Sequence, residues 1–423
     1  MFRRRAGRAQ RFAAFRPPLH ARACFAHCAA MHLPSFLRLE PHPRWVFILF
    51  SLALGAATFA LDEGYAQDTA NYDQASSALI ESGFAYGRLI RESGDVSTVG
   101  YSLFVTLLAL LKLAFAEHWR VAALAINVAA VSATVAMIVS LGRRLQLGPV
   151  AGWCAVVLAS LCHDMWHWSR YVITDPLFLF ISFGAFTLAA HRLLGRQARW
   201  GPPWFAAVVA TLARPTGIVV PAAVGAMHIL SRSARTARSR AAAILSLLAG
   251  GVAATLVFGW IMQSPERWPT TIGAIHIRNA SRDYHAGQVV WERLETYHAP
   301  PAALADFWLI SLDRFVHFFA FAAQGFSTAH VVVQCLFFVP AYLLCAVFAV
   351  AVFRRGSGLP EGARDMGAAA LVTIVFYAFF HAMIQVDFDW RYRLPILPVI
   401  ILLASLGAAF LARSAPAIKR GWR

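Results

Sequence analysis

Acidic, basic and aromatic residues lie in a few polar stretches that interrupt long apolar runs. In the first stretch, a helix over 66–80 would place Asp68, Tyr72 and Ala75 on one face, because they are spaced i, i+4 and i+7. A carboxylate at a membrane surface beside an arginine-lined pocket suits a general base that accepts a proton from a hydroxyl or amine nucleophile. The competing interpretation is a solvated acidic loop that only helps to set the membrane orientation.

Three other acidic residues near Asp68 are alternatives for the same role, namely Asp62, Glu63 and Asp73. Asp62 and Glu63 lie closer to the end of the preceding apolar run. On a helix, Asp73 points about 140° away from Asp68, because each residue advances about 100°. Residue chemistry alone therefore leaves the identity of a base open.

A second polar stretch carries Asp175, which is followed by Pro176. Asp at an N-cap and Pro in the first turn are common helix-start signals, so a structural role competes with a binding role. His163, Asp164 and His167 precede it and are of metal-ligand type. Two histidines and one aspartate without a fourth placed ligand are a weak metal signal, and the neighbouring tryptophans favour anchoring at the membrane interface.

Four arginines in these stretches are candidate anion ligands: Arg170, Arg214, Arg391 and Arg393. An intramembrane arginine at a helix break can bind a phosphate or carboxylate, or its side chain can extend to the interface. Arg214 fits both interpretations because Pro215 follows it. Arg391 and Arg393 fit a phosphate grip, or neutralisation of nearby acidic residues.

The composition of the chain indicates a membrane protein, whose helices would position these residues. Of the 423 residues, 59% are hydrophobic and only 14% are charged, whereas a soluble domain has about 25% charged residues. Mean hydropathy is +0.58. These values exclude disordered, fibrous and small disulfide-rich classes. In a soluble protein the net charge of +17 would suggest nucleic acid, but here it is better explained by loop charge asymmetry, and no nucleic-acid partner is expected.

The apolar runs predict an all-α, polytopic integral membrane protein. They lie at about 45–61, 99–116, 121–141, 149–163, 171–190, 203–213, 215–230, 241–262, 307–323, 329–353, 366–386 and 394–412. Lysine and arginine concentrate on the cytoplasmic side of membrane proteins. The basic clusters can all be cytoplasmic only if runs 99–116 and 307–323 do not cross. We therefore predict about ten transmembrane helices, with these two runs as juxtamembrane helices on the outer side.

Charge also sets the predicted domain organisation and orientation. Residues 1–43 form a basic cytoplasmic tail, 44–412 the transmembrane domain, and 413–423 a second cytoplasmic tail. Residues 62–98 carry seven acidic residues and two arginines, so this loop is predicted to lie outside. The basic N-terminal stretch fits either a disordered arm at anionic lipid headgroups or a reading frame whose translation begins at Met31.

Five short motifs occur in an order that resembles a known family. They are D-x3-Y-x2-A (Asp68, Tyr72, Ala75), Gly100-Tyr101 opening an apolar helix, Y-x3-D-P-L-F (Tyr171, Asp175, Pro176, Leu177, Phe178), R-P-x-G (Arg214, Pro215, Gly217) and R-Y-x-L-P (Arg391, Tyr392, Leu394, Pro395). The chain is similar over about 44–412 to the GT-C superfamily of polytopic glycosyltransferases. That superfamily includes protein O-mannosyltransferases and lipid A aminoarabinose transferases.

The resemblance implies a glycosyltransferase of the bacterial inner membrane with its active site facing the periplasm. It implies a polyprenyl-phosphate-sugar donor, a lipid, glycan or protein acceptor, and contact with membrane lipids. The first-loop carboxylate of the family, at Asp68 here, acts as base. The expected substrate-binding residues are Tyr72, Asp175, Arg170, Arg214, Arg391 and Arg393. Charge on a leaving phosphate can be neutralised by arginines or by a divalent metal ion, so no cofactor is assigned and a metal stays open.

Two other functions compete with this one. An envelope glycan polymerase or ligase would share an outer-face site and a large outer loop rich in arginine and histidine, of which 263–306 has some. A secondary transporter would show internal repeats and matching broken helices in its two halves. The sequence has one broken pair, at Arg214, without a matching second one.

Overall fold

A computed structural model describes most of the apolar runs. It covers residues 41–60, 67–93, 100–145, 148–195, 199–233, 281–354, 359–384 and 391–421. Residues 1–40 of the N-terminal tail, Asp62, Glu63 and the run 241–262 lie outside these ranges. Within them, all regular elements are helical and no β-strand occurs. The expected all-α class is confirmed at this level.

Helices form in the remaining predicted runs, and three further helices form in the polar segments between them, at Gln67–Glu81, Tyr86–Ser93 and His163–Ser169. They are α1 (Pro41–Ala60), α2 (Gln67–Glu81), α3 (Tyr86–Ser93), α4 (Ser102–Phe115), α5 (Trp119–Arg144), α6 (Pro149–Leu161), α7 (His163–Ser169), α8 (Asp175–Gly195), α9 (Gly201–Ala213), α10 (Val219–Ser233), α11 (Leu304–Phe318), α12 (Thr328–Phe353), α13 (Glu361–Ile384) and α14 (Leu397–Gly421). Short 3₁₀ turns occupy Ala116–His118, Pro215–Ile218, Leu294–Thr296 and Arg391–Ile396. The last helix continues through most of the segment predicted as a cytoplasmic tail.

Five described helical segments are long and apolar enough to cross a membrane. They are Ser102–Arg144, Asp175–Gly195, Thr328–Phe353, Glu361–Ile384 and Arg391–Ser414. Four shorter apolar helices accompany them, at Phe47–Ala60, Pro149–Leu161, Gly201–Ala213 and Pro215–Ser231. These features are those of an all-helical membrane protein. The finer count of about ten spans stays a prediction.

The first of these segments consists of two helices rather than one. Its 43 residues would extend about 65 Å as a single helix, roughly twice the thickness of a bilayer core. The chain breaks at Ala116, whose φ of 46° is outside the helical region, and α5 begins at Trp119. Helix α4 has 14 residues and so extends only about 21 Å. That α4 does not cross the membrane stays a prediction, because α6 and α9, which were expected to cross, are shorter still at 13 residues each.

The predicted break at Arg214-Pro215 is confirmed. Helix α9 ends at Ala213, Arg214 is extended with φ −161° and ψ 143°, and a 3₁₀ turn over Pro215–Ile218 leads into α10. Proline disfavours helical backbone at the residue before it, which accounts for the extended Arg214. The break places an arginine side chain between two apolar helices.

Helix α14 lies at the centre of the described bundle. It packs against α5, α6, α8, α12 and α13. Its segment from Leu397 to Gly407 is buried and almost wholly apolar, as a helix segment buried all round should be. Helix α12 is peripheral and exposes a stripe that includes Leu336, Leu343 and Val350. The short turn Arg391–Ile396 immediately precedes α14 and packs against α8 and α13. The bundle centre therefore fixes the position of the R-Y-x-L-P motif.

Candidate active site

The predicted base contacts an arginine from the far end of the sequence. Asp68 lies in the first turn of α2, and its Oδ2 accepts a hydrogen bond of 2.5 Å from Nη1 of Arg391. The guanidinium of Arg391 also lies over two aromatic rings, 5.5 Å from the centre of Trp168 and 5.8 Å from that of Tyr392. The side chains of Asp68 and Arg391 are 34% and 17% exposed, so solvent reaches this pair.

Two further predicted residues form a second, buried pair. Asp175 begins α8, and its Oδ1 accepts a hydrogen bond from Nη1 of Arg214. Their side chains are only 2% and 6% exposed. Asp175 therefore has the expected structural role at a helix start and also compensates a buried arginine. A role in substrate binding stays a prediction.

Aromatic residues join the two pairs into one site. Arg214 lies 5.3 Å from the centre of the Tyr392 ring, which Arg391 also contacts. Burial raises the pKa of Tyr72 well above its usual value, and this phenol lies in the fields of both ion pairs. We call Asp68, Asp175, Arg214 and Arg391 the central network. Four polar stretches that are far apart in sequence supply its members and their aromatic neighbours.

Arg393 belongs to a separate buried cluster. Its Nη2 lies 3.1 Å from Asp164 Oδ2, Nη1 donates to the carbonyl of Ala320, and the guanidinium is 4.1 Å from the Phe338 ring centre. Gln334 Nε2 donates to the other oxygen of Asp164 at 2.7 Å. Burial alone would raise the pKa of Asp164, but the charge of Arg393 and these hydrogen bonds outweigh it and lower the pKa to about 2.

Arg170 follows α7 and contacts two ring side chains of the same polar stretch. Its Nη2 donates to Nδ1 of His167 at 2.8 Å, and its guanidinium is 6.0 Å from the Tyr171 ring centre. His163 stacks on His167 with ring centres 5.3 Å apart. The described residues contain no group of three or more histidine, cysteine, aspartate or glutamate side chains placed to hold a metal ion.

Two of the glycine-containing motifs, Gly100-Tyr101 and R-P-x-G, pack against each other next to the site. A Cβ placed on Gly100 would lie 2.7 Å from Cγ of Pro215, and one on Gly217 would overlap the carbonyl of Ala210. The Gly-Tyr segment that opens α4 therefore packs directly on the R-P-x-G turn. This close approach brings Tyr101 within 5.4 Å of Tyr72 between ring centres.

A lysine fixes the helix that carries Asp68. Lys112 of α4 contacts α2 through three atoms: Nζ lies 2.5 Å from Asp73 Oδ1, 2.7 Å from the Asp73 carbonyl and 2.7 Å from Ser77 Oγ. Tyr72 and Ala75 pack into the apolar layer between the same two helices. Asp73, an alternative base in the sequence, is thus engaged in holding α2 in place.

A small apolar cavity of about 20 Å³, enough for roughly one water molecule, lies between α8, α10, α13 and the start of α14. Its lining includes Phe183, Val220, Met227 and Tyr377. Tyr377 Oη donates to Thr216 Oγ1 at 3.4 Å, and Thr216 follows Arg214 by two residues. The pocket therefore adjoins the turn that carries a member of the central network.

Several residues of the site were not identified from the sequence. Trp168 was interpreted as an interfacial anchor, and Asp164 as part of a weak metal pattern. Their contacts with Arg391 and Arg393 span more than 200 positions, so no local spacing announces them. Gln334 carried a usable signal, because it is a polar residue inside the apolar run 329–353.

Comparison of the chain with protein-family models, with curated proteins and with solved structures finds no match.

Proposed function

We propose that this protein is a membrane glycosyltransferase that moves a sugar from a polyprenyl-phosphate-linked donor to a periplasmic or lipid-linked acceptor. The observation that carries the proposal is the convergence of Asp68, in the first turn of a polar helix, with Asp175, Arg214 and Arg391 beside the ends of apolar helices. Charged groups are costly near a bilayer core and usually mark function there.

The central network supplies the groups that this reaction requires. The acceptor hydroxyl or amine attacks the anomeric carbon of the sugar, and its proton passes to a carboxylate oxygen of Asp68. The bond between that carbon and the phosphate oxygen breaks, so that polyprenyl phosphate leaves with the electron pair. Arg391, with Arg214 behind it, is placed to stabilise the charge that develops on the leaving phosphate.

The orientation proposed for this site is periplasmic, in a bacterial inner membrane. The support is the basic character of 1–44 and 231–240 against the acidic loop 62–98. Single cysteines, introduced in a variant without the six native ones, should be labelled from the cytoplasm within 231–240 and from the periplasm at Arg293. Periplasmic labelling within 231–240 would contradict the proposed orientation of the chain in the membrane.

A transfer assay tests the activity itself. Purified protein in nanodiscs receives a panel of polyprenyl-phosphate sugars together with envelope lipids and glycans from a strain that lacks the protein, and products are identified by mass spectrometry. We expect one donor to lose its sugar to an acceptor. Joining of whole glycan chains would identify a polymerase or ligase instead, and movement of an intact solute into vesicles would identify a transporter.

A further inference from the structure

The three arginine–carboxylate pairs at this end of the bundle differ in solvent access. The side chains of the Arg214 pair and of the Arg393 pair are at most 6% exposed. In the third pair, Asp68 is 34% exposed and Arg391 is 17% exposed. A ligand that arrives from water can therefore compete for Arg391 without first breaking a buried ion pair.

Arg391 is also held in place independently of its carboxylate partner. Its guanidinium lies 5.5 Å from the ring centre of Trp168 and 5.8 Å from that of Tyr392, and cation–π contacts at these distances stabilise an arginine. The residue that follows it, Tyr392, also stacks on His381 with ring centres 5.0 Å apart. When a partner of Arg391 is exchanged, the guanidinium is thus still positioned by the rings.

The pair competes with the role proposed for Asp68. One of its two carboxylate oxygens already accepts a hydrogen bond from Arg391, and an oxygen so engaged competes poorly for the proton of an acceptor. A phosphate presents several oxygens in the geometry that a guanidinium fork prefers. The same arginine therefore suits a phosphate at least as well as it suits the carboxylate.

We propose that Arg391 exchanges Asp68 for the phosphate of the donor, so that the carboxylate becomes available as a base only after the donor has bound. The hydrogen bond from Arg391 Nη1 to Asp68 Oδ2 breaks, and one from the same nitrogen to a phosphate oxygen forms. The inference rests on the proposed function in taking the ligand to be a prenyl phosphate. It adds an obligatory order, in which the donor precedes the acceptor.

Carbodiimide labelling of Asp68 tests the exchange without any sugar transfer. The purified full-length protein is labelled in the presence of farnesyl phosphate, inorganic phosphate, farnesol or no ligand, and mass spectrometry quantifies modification of Asp68 and of Asp313, a partly exposed carboxylate elsewhere. We expect farnesyl phosphate to increase labelling of Asp68 several-fold, farnesol to leave it unchanged, and Asp313 to be indifferent to all ligands. An equal response to inorganic phosphate would identify a site for free phosphate.

Two variants complete the test. Arg391→Ala should show high labelling of Asp68 without ligand and no response to farnesyl phosphate, and Arg391→Lys, which keeps the charge, should respond only at higher concentrations. Labelling that farnesyl phosphate leaves unchanged or lowers, or an absence of farnesyl phosphate binding, would overturn the exchange. Exchange without transfer from any donor would instead refute the proposed function, and transfer without a change in labelling would refute the exchange alone.

Discussion

Arg391 and Asp68 are 323 positions apart in the sequence, and yet Nη1 of the arginine lies 2.5 Å from Oδ2 of the aspartate. The contact joins α2, near the start of the described chain, to the 3₁₀ turn that precedes α14, the last helix. Both residues were expected near a reacting phosphate, one as base and one as ligand. Their direct pairing links these two expected roles in a single interaction.

Replacement of Asp68 by asparagine should abolish most transfer. The amide keeps the size of the side chain but cannot accept the nucleophile's proton, so the transfer rate should fall by roughly 10²–10⁴-fold. Farnesyl phosphate should still bind, because Arg391 remains. Asp313→Asn serves as the matched control and should transfer normally. Near-normal transfer in Asp68→Asn, with loss in Glu63→Gln, would move the base to Glu63.

The buried pair of Asp164 and Arg393 should act on stability. Asp164→Asn leaves the charge of Arg393 buried without its partner, and such changes cost about 3–5 kcal/mol. The double variant Asp164→Asn with Arg393→Met removes that charge and should recover part of the loss. Thermal unfolding in detergent measures both effects. Additive losses in the double variant would contradict the coupling.

The same pair predicts a dependence of stability on pH. The pKa of Asp164 is lowered to about 2 in the folded protein, whereas it is about 3.9 in an unfolded chain. The stabilisation is therefore complete at pH values above the unfolded pKa and is lost as the pH falls through the folded pKa. Unfolding temperatures of the native protein and of Asp164→Asn should converge on acidification. A constant difference between them would contradict this assignment.

Hydrophobic runs and breaks were readable from the sequence, because each depends on local composition. The break at Arg214, the start of α8 at Asp175 and the helix carrying Asp68 all follow from proline geometry, capping preferences or 3.6-residue spacing. The break at Ala116 was also placed within a residue or two, because the apolar run is interrupted there by Glu117 and His118.

The sequence did not predict in the same way which carboxylate each arginine contacts. Arg391 and Arg393 are two residues apart and chemically identical, and both were expected at the phosphate. Their backbone directions in the 3₁₀ turn place one beside Asp68 and the other beside Asp164. Which arginine takes which carboxylate depends on the packing of helices that are distant in sequence, and a single sequence does not contain that information.

The R-P-x-G turn should tolerate no side chain at Gly217. A Cβ there overlaps the carbonyl of Ala210, so Gly217→Ala should separate the turn from α9 and cost roughly 1–3 kcal/mol. Gly184→Ala is the matched control, because a Cβ at Gly184 has no neighbour within 4 Å, and this variant should be neutral or slightly stabilising. Equal stability of the two variants, measured by thermal unfolding, would contradict the close approach.

Lys112 should affect catalysis through the position of α2, although it contacts none of the reacting atoms. Lys112→Met removes its bonds to Asp73 and Ser77, so Asp68 loses its fixed distance from the acceptor. A displacement of about 1 Å can cost on the order of 10²-fold in rate. We expect kcat to fall by roughly 10–100-fold with little change in the donor KM, because Arg391 and Arg214 stay in place. Lys112→Arg should restore part of the rate, and Lys419→Met, at the only other lysine in the chain, should not alter it. An unchanged kcat in Lys112→Met would show that α2 is held without this lysine.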